Sequence, residues 1–226
     1  MSAAGTSGFA RRIDAAQPRP MLRGVLHLLM ALAAPAALVA LLLWADSARD
    51  YVGVSIYGTS VLLLYSVSAG YHLVPWPARI KDGLGRADHS MIFVLIAGTY
   101  TPFCLKVIGD AWGISILSVV WALAGAGVVL KVVWPQAPRW LSVGLYLAVG
   151  WVAVVSAKPV VEEMSAWALA LLLLGGAMYS IGALVYGARR PDPYPRVFGY
   201  HEVFHLLVVG GTLAHFMVIA GYVLDA

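Results

Sequence analysis

The stretch Tyr200 to Val223, YHEVFHLLVVGGTLAHFMVIAGYV, is apolar over a length that crosses a bilayer, yet it carries His201, Glu202, His205 and His215. A hydrocarbon core of about 30 Å takes roughly 20 helical residues. Inside it an unsatisfied polar group costs several kcal/mol, so ionisable residues in a span face the bundle interior and mark a site. His201 and His205 are four apart, so on an α-helix they share a face and their imidazoles converge on one point. That is metal-ligand spacing. The alternative is a pair of histidines that only bond to neighbouring helices.

Composition extends the membrane reading to the whole chain. Of 226 residues, 61% are hydrophobic and 12% charged, which excludes a soluble globular domain. The net charge is +4, but the basic residues sit singly in loops and form no stripe for nucleic acid. Cys104 is the only cysteine, so no intramolecular disulfide and no cysteine-based metal cluster can form. A metal here must use histidine, carboxylate or water.

Residues 1–23 are polar, with Arg11, Arg12, Arg19 and Arg23, and read as a disordered tail. The remainder, 24–226, reads as one all-α domain of seven transmembrane helices. The expected spans are Gly24 to Ala45, Tyr51 to Val74, Asp88 to Val107, Ala111 to Trp134, Trp140 to Ala157, Met164 to Ala188 and Tyr200 to Val223. The first is longer than the roughly 7–15 apolar residues of a signal peptide. Prolines end the second (Pro75, Pro77) and the fourth (Pro135, Pro138), because proline cannot continue the hydrogen-bond ladder. Trp44, Tyr51, Trp76 and Trp134 lie near span ends as interface anchors.

Lys and Arg in the connections set the orientation. One side holds the four tail arginines, then Arg79, Lys81, Arg86, Lys131, Arg139, Arg189, Arg190 and Arg196. The other holds only Arg49, Lys106 and Lys158. The N-terminus is therefore expected in the cytoplasm and the C-terminus outside. This topology supplies an independent test of the histidine spacing. His72 ends an inward-running span, whereas Asp88, His89, His201 and His205 open outward-running ones, so all five fall at the cytoplasmic end. His27 lies there too. His215 is deeper, about 15 Å from His205 at 1.5 Å per residue.

Three neutral imidazoles with an open position suit a catalytic zinc, whereas structural zinc is normally closed by four protein ligands. Zinc brings the pKa of a bound water to about 7, and a nearby carboxylate such as Asp88 then orients that water and shuttles its proton. Ser68 lies on the same helical face as His72, where its hydroxyl would hold the water or a substrate oxygen.

Ser68-Ala-Gly-Tyr-His72, Ala87-Asp88-His89-Ser90, Ala97-Gly-Thr-Tyr-Thr-Pro102 and His201-Glu-Val-Phe-His205 with His215 resemble the motifs of the hemolysin III family. That family belongs to the progestin and adipoQ receptor group of seven-helix membrane proteins. The resemblance runs from the first span to the end of the chain. It implies zinc near the cytoplasmic boundary of a bacterial plasma membrane, bound by His72, His201 and His205, with Asp88 on the zinc-bound water. It also suggests kinship with alkaline ceramidases, which are membrane amide hydrolases.

Each role has an alternative. Ser68 either serves the site or bonds back to its own helix; Asp88 either holds the water or caps the third helix. Glu202 completes His-Glu-x-x-His, in which the glutamate is a general base, but it points about 100° from His201 around the helix. His89 and His27 read as loop or interface residues, and His215 as a partner within the bundle. The leading function is a zinc-dependent hydrolase of a lipid amide or ester that enters from the membrane. A receptor or membrane-homeostasis regulator with structural zinc is the second reading. A pore-forming cytolysin is the third, and a chain this apolar without a secretion signal speaks against it.

Overall fold

The computed structural model describes residues 19–225, so most of the expected tail, with Arg11 and Arg12, lies outside the described residues. Among those described, seven helices are long and apolar enough to span a membrane. They are α1 (Val25–Trp44), α2 (Ala48–Leu73), α3 (Ala78–Ile108), α4 (Asp110–Val133), α5 (Arg139–Glu163), α6 (Ala166–Ala188) and α7 (Tyr200–Val223). Consecutive helices pack on one another and α1 closes on α7, which makes a ring. The all-α, seven-span expectation holds. The most apolar windows of α2, α3 and α7 are 56, 50 and 44% buried, against 17–28% in the other four. The residues with the motifs therefore sit on the three most enclosed helices.

Two boundaries differ from expectation, each for a local reason. Helix α3 starts at Ala78, directly after Pro77, and not at Asp88. Its first turns, ARIKDGLGRA, are too polar to register as a span, but Arg, Lys and Leu are good helix formers and the Lys81 N–H bonds to the Pro77 carbonyl at 3.0 Å. Asp88 consequently stands inside the helix and caps nothing. Helix α5 runs on to Glu163, past the expected Ala157, through a tighter 3-10 stretch at Trp151–Ser156. Pro159 has no N–H to donate there. Further back, in the 3-10 stretch itself, the Tyr100 hydroxyl inserts between neighbouring backbone groups, donating to the Gly150 carbonyl and accepting from the Ala153 N–H, both at 2.6 Å.

The far end is fixed by Asp50. Its carboxylate accepts the Ser47 N–H (3.0 Å), while Ser47 Oγ accepts the Asp50 N–H (3.2 Å), a reciprocal cap at the start of α2. Lys106 Nζ from the end of α3 lies 3.0 Å from the same carboxylate.

Candidate metal centre

Helix α7 begins with its two histidines already oriented. The Glu202 carboxylate reaches back to the Gly199 N–H (2.8 Å), and the Tyr200 N–H donates to Asp192 Oδ1 (2.8 Å), so two N–H groups at the helix start are satisfied. Glu202, 1% exposed, also forms an ion pair with Arg23. The segment before α1 lies along the α6–α7 loop, with the Met21 N–H on the Arg196 carbonyl (3.0 Å) and the Leu22 N–H on that of Val197 (3.1 Å). Gly24 then turns the chain at φ +86°, and a Cβ there would sit 2.7 Å from His72 Cβ. Glycine is needed on both counts, for the left-handed backbone and for the close approach to His72.

His72 closes α2 and meets His201 and His205 from α7. The three are buried, and one ligand atom from each lies within 4.8 Å of the others. His72 Nε2 and His201 Nε2 are 3.2 Å apart, close to the roughly 3.3–3.4 Å edge of a tetrahedral site with Zn–N bonds of about 2.0–2.1 Å. The donor set therefore fits a metal ion. Asp88 Oδ2 is 3.8 Å from His72 Nε2, beside the triad and outside hydrogen-bond distance. Ser68 Oγ lies 2.8 Å from His27 Nδ1 and near enough to Asp88 to act on its carboxylate. Five of the residues singled out from sequence, Ser68, His72, Asp88, His201 and His205, thus come together at one end of the bundle.

The remaining candidates separate cleanly. His27 stacks on His205 with ring centroids 3.6 Å apart and planes at 12°, so it is a wall of the site. Its depth was visible in the sequence, but the stacking was not. His89 is engaged at both ring nitrogens, with Gly85 O (2.8 Å) and the Tyr186 hydroxyl (2.9 Å). His215 Nε2 donates to the Leu172 carbonyl at 3.1 Å, far from the triad. Glu202 is occupied by the cap and by Arg23, and Arg23 is the site-end residue that spacing rules had no means of finding.

Comparison with known proteins places this arrangement. A family model described as haemolysin-III related matches residues 15–216. The chain belongs to that family. It is 38% identical over 189 residues to the hemolysin-3 homolog of Bacillus subtilis (strain 168), covering 82% of this chain and 85% of that one. It is 33% identical over 191 residues to hemolysin-3 of Bacillus cereus, covering 83% and 84%. The adiponectin receptor protein of Drosophila melanogaster is 28% identical over 148 residues, 58% of this chain and 33% of the receptor. This haemolysin-III-related chain is thus a multi-pass membrane protein with bacterial relatives, and the wider receptor group is in view.

Proposed function

We propose that this haemolysin-III-related protein is a zinc-dependent hydrolase of a lipid amide or ester, working at the cytoplasmic side of a bacterial inner membrane. The observation that carries the reading is the meeting of three buried imidazoles with a carboxylate 3.8 Å away and a serine hydroxyl beside it. His72, His201 and His205 would hold the zinc ion, which would supply Lewis acidity toward water and a carbonyl oxygen. Asp88 takes the proton from the water that attacks the acyl carbon and returns it to the departing amine nitrogen or alcohol oxygen as the acyl C–N or C–O bond breaks. The enclosed walls of α2, α3 and α7 keep bulk water from the acyl chain, which strengthens each polar contact inside.

Ser68 donates to the carbonyl oxygen, and His27 fixes its direction. The buried His27 Nε2 has no partner among the described residues. A buried bare lone pair is tolerated better than a buried orphan N–H, which favours the tautomer protonated at Nδ1. That nitrogen then donates to Ser68 Oγ, so the serine proton is free to turn from Asp88 to the carbonyl oxygen of a bound substrate.

The test measures zinc and turnover in the same samples, against a panel of ceramides and acyl lipids. Asp88→Asn is expected to keep its zinc, because the imidazoles remain, and to lose about 100- to 10,000-fold in turnover. His205→Ala is expected to lose the zinc itself. A fully active Asp88→Asn protein overturns the mechanism. The adiponectin receptor relative supports a second reading, in which zinc only ties α2 to α7. That reading expects wild-type protein with bound zinc and no hydrolysis of any lipid tested.

A further inference from the structure

We propose that the adjoining ends of α4 and α5 bind the phosphate of an anionic phospholipid through Lys131, Arg139 and Ser142. Lys131, in the last turn of α4, is only 6% exposed. Its ammonium donates to the Ser142 hydroxyl and lies 5.9 Å from the Tyr146 ring centroid. Both partners are neutral, and Ser142 takes one of three N–H donors. Among the described residues neither Lys131 nor Arg139 has a carboxylate partner. The sequence between Asp110 and Glu162 contains no Asp or Glu at all. A lysine that serves only topology has a stem long enough to carry its charge out to water. Lys131 turns inward instead, and a buried charge without a counter-ion is costly.

Arg139 opens α5 from the same end. Its guanidinium lies over the Tyr186 ring, 5.2 Å from the centroid. Stacking occupies the face of the guanidinium and leaves edge N–H groups for the oxygens of a phosphate. Both cations lie close enough to His89 to act on it electrostatically, so they share one side of the bundle. Helix α5 leans more on α6 than on α4. Trp134 and Trp140, 48 and 73% exposed, bracket the α4–α5 seam at headgroup level. Exposed Val132 and Val133 continue it as a seat for acyl chains. A lipid phosphate satisfies the cations and the apolar seam together, as basic pockets between transmembrane helices do for anionic lipids. The site is separate from the imidazole cluster, since Tyr186 stands between them, 6.0 Å from the His201 ring.

The full-length protein is reconstituted in discs of phosphatidylcholine alone or of equal parts phosphatidylcholine and phosphatidylglycerol, and its thermal midpoint and retained lipid are measured. Wild type is expected to melt higher in the mixed discs and to enrich phosphatidylglycerol around itself. Arg139→Gln is expected to lower that enrichment about tenfold, the effect of losing one hydrogen bond to a charged group. Lys131→Met is expected to abolish the lipid-dependent rise in midpoint while melting no lower than wild type in phosphatidylcholine, because an unpaired buried charge has been removed. Equal wild-type midpoints in the two discs, without enrichment, overturn the proposal. So does an equal rise on adding inorganic phosphate to phosphatidylcholine discs, which would assign the site to free phosphate.

Discussion

Glu202 is where sequence spacing and structure make opposed forecasts, and Glu202→Gln separates them. In His-Glu-x-x-His the glutamate is the general base, so its amide should fold normally and fail to turn over. The structure commits the carboxylate to the Gly199 N–H at 2.8 Å and to Arg23, with 1% exposure. Glutamine retains an oxygen for the backbone but leaves the guanidinium without a counter-charge. Breaking a buried pair from one side costs about 3–5 kcal/mol. Arg23 keeps 14% exposure and a stem that can carry its charge toward water, which places the expected loss near the lower bound, about 3 kcal/mol. At roughly 2–4 °C per kcal/mol for a chain of this length, the midpoint falls by about 6–12 °C. Thermal unfolding followed in detergent measures it, with zinc determined in parallel. Adding Arg23→Met to Glu202→Gln should recover part of the loss, since the orphaned charge is then gone. An unchanged midpoint in Glu202→Gln together with lost turnover would refute the structural role and return Glu202 to the chemistry.

Two further outcomes are expected. Thr212→Val preserves shape but strands the Tyr65 and Tyr179 hydroxyls, which lie 2.7 and 2.8 Å from Thr212 Oγ1; at about 1–3 kcal/mol for each donor left unpaired, a loss of roughly 2–6 kcal/mol should appear in the same unfolding assay, and adding Tyr65→Phe and Tyr179→Phe should restore part of it. For orientation, cysteine at exposed Glu162 should react with a membrane-impermeant thiol reagent in intact cells, and cysteine at exposed Arg190 should not. Native Cys104 is buried and gives no background, and the reverse labelling pattern refutes a cytoplasmic site.

Hydropathy made seven spans legible because hydrocarbon tolerates few polar residues, and that constraint is written in composition. It failed at the start of α3, where Ala78–Ala87 is helical for reasons of propensity and carries too many polar residues to register as a span. The error had a chemical consequence, since it left Asp88 a capping role that its place inside α3 removes. His72, His201 and His205 were legible as a group because helix direction places them at one depth. What spacing cannot report is who stands opposite. The stack of His27 on His205 and the pairing of Arg23 with Glu202 depend on α1 closing against α7, a contact between residues at opposite ends of the chain.

The hydroxyl cluster deeper in the bundle gives the imidazole site its register. Thr212 lies seven residues beyond His205 and Tyr65 seven before His72, so in these antiparallel helices both contacts are displaced by the same distance, about 10 Å at 1.5 Å per residue. Thr212 Oγ1 accepts from Tyr65 and Tyr179 and donates to the Val208 carbonyl at 3.0 Å, which leaves the hydroxyl no further capacity. Tyr57 adds a bond from α2 to the Thr212 carbonyl at 3.3 Å. A slip of α7 by one turn, about 5.4 Å, would exceed the 3.2 Å between His72 and His201 and also strand the hydroxyls of Tyr57, Tyr65 and Tyr179. The cost of that slip holds α2 against α7 with or without metal, so the histidines are positioned before an ion arrives. Thr212→Val should therefore weaken zinc affinity although it touches no ligand. If zinc affinity stays unchanged while stability falls, the register is set elsewhere, by Glu202 and Arg23 at the mouth.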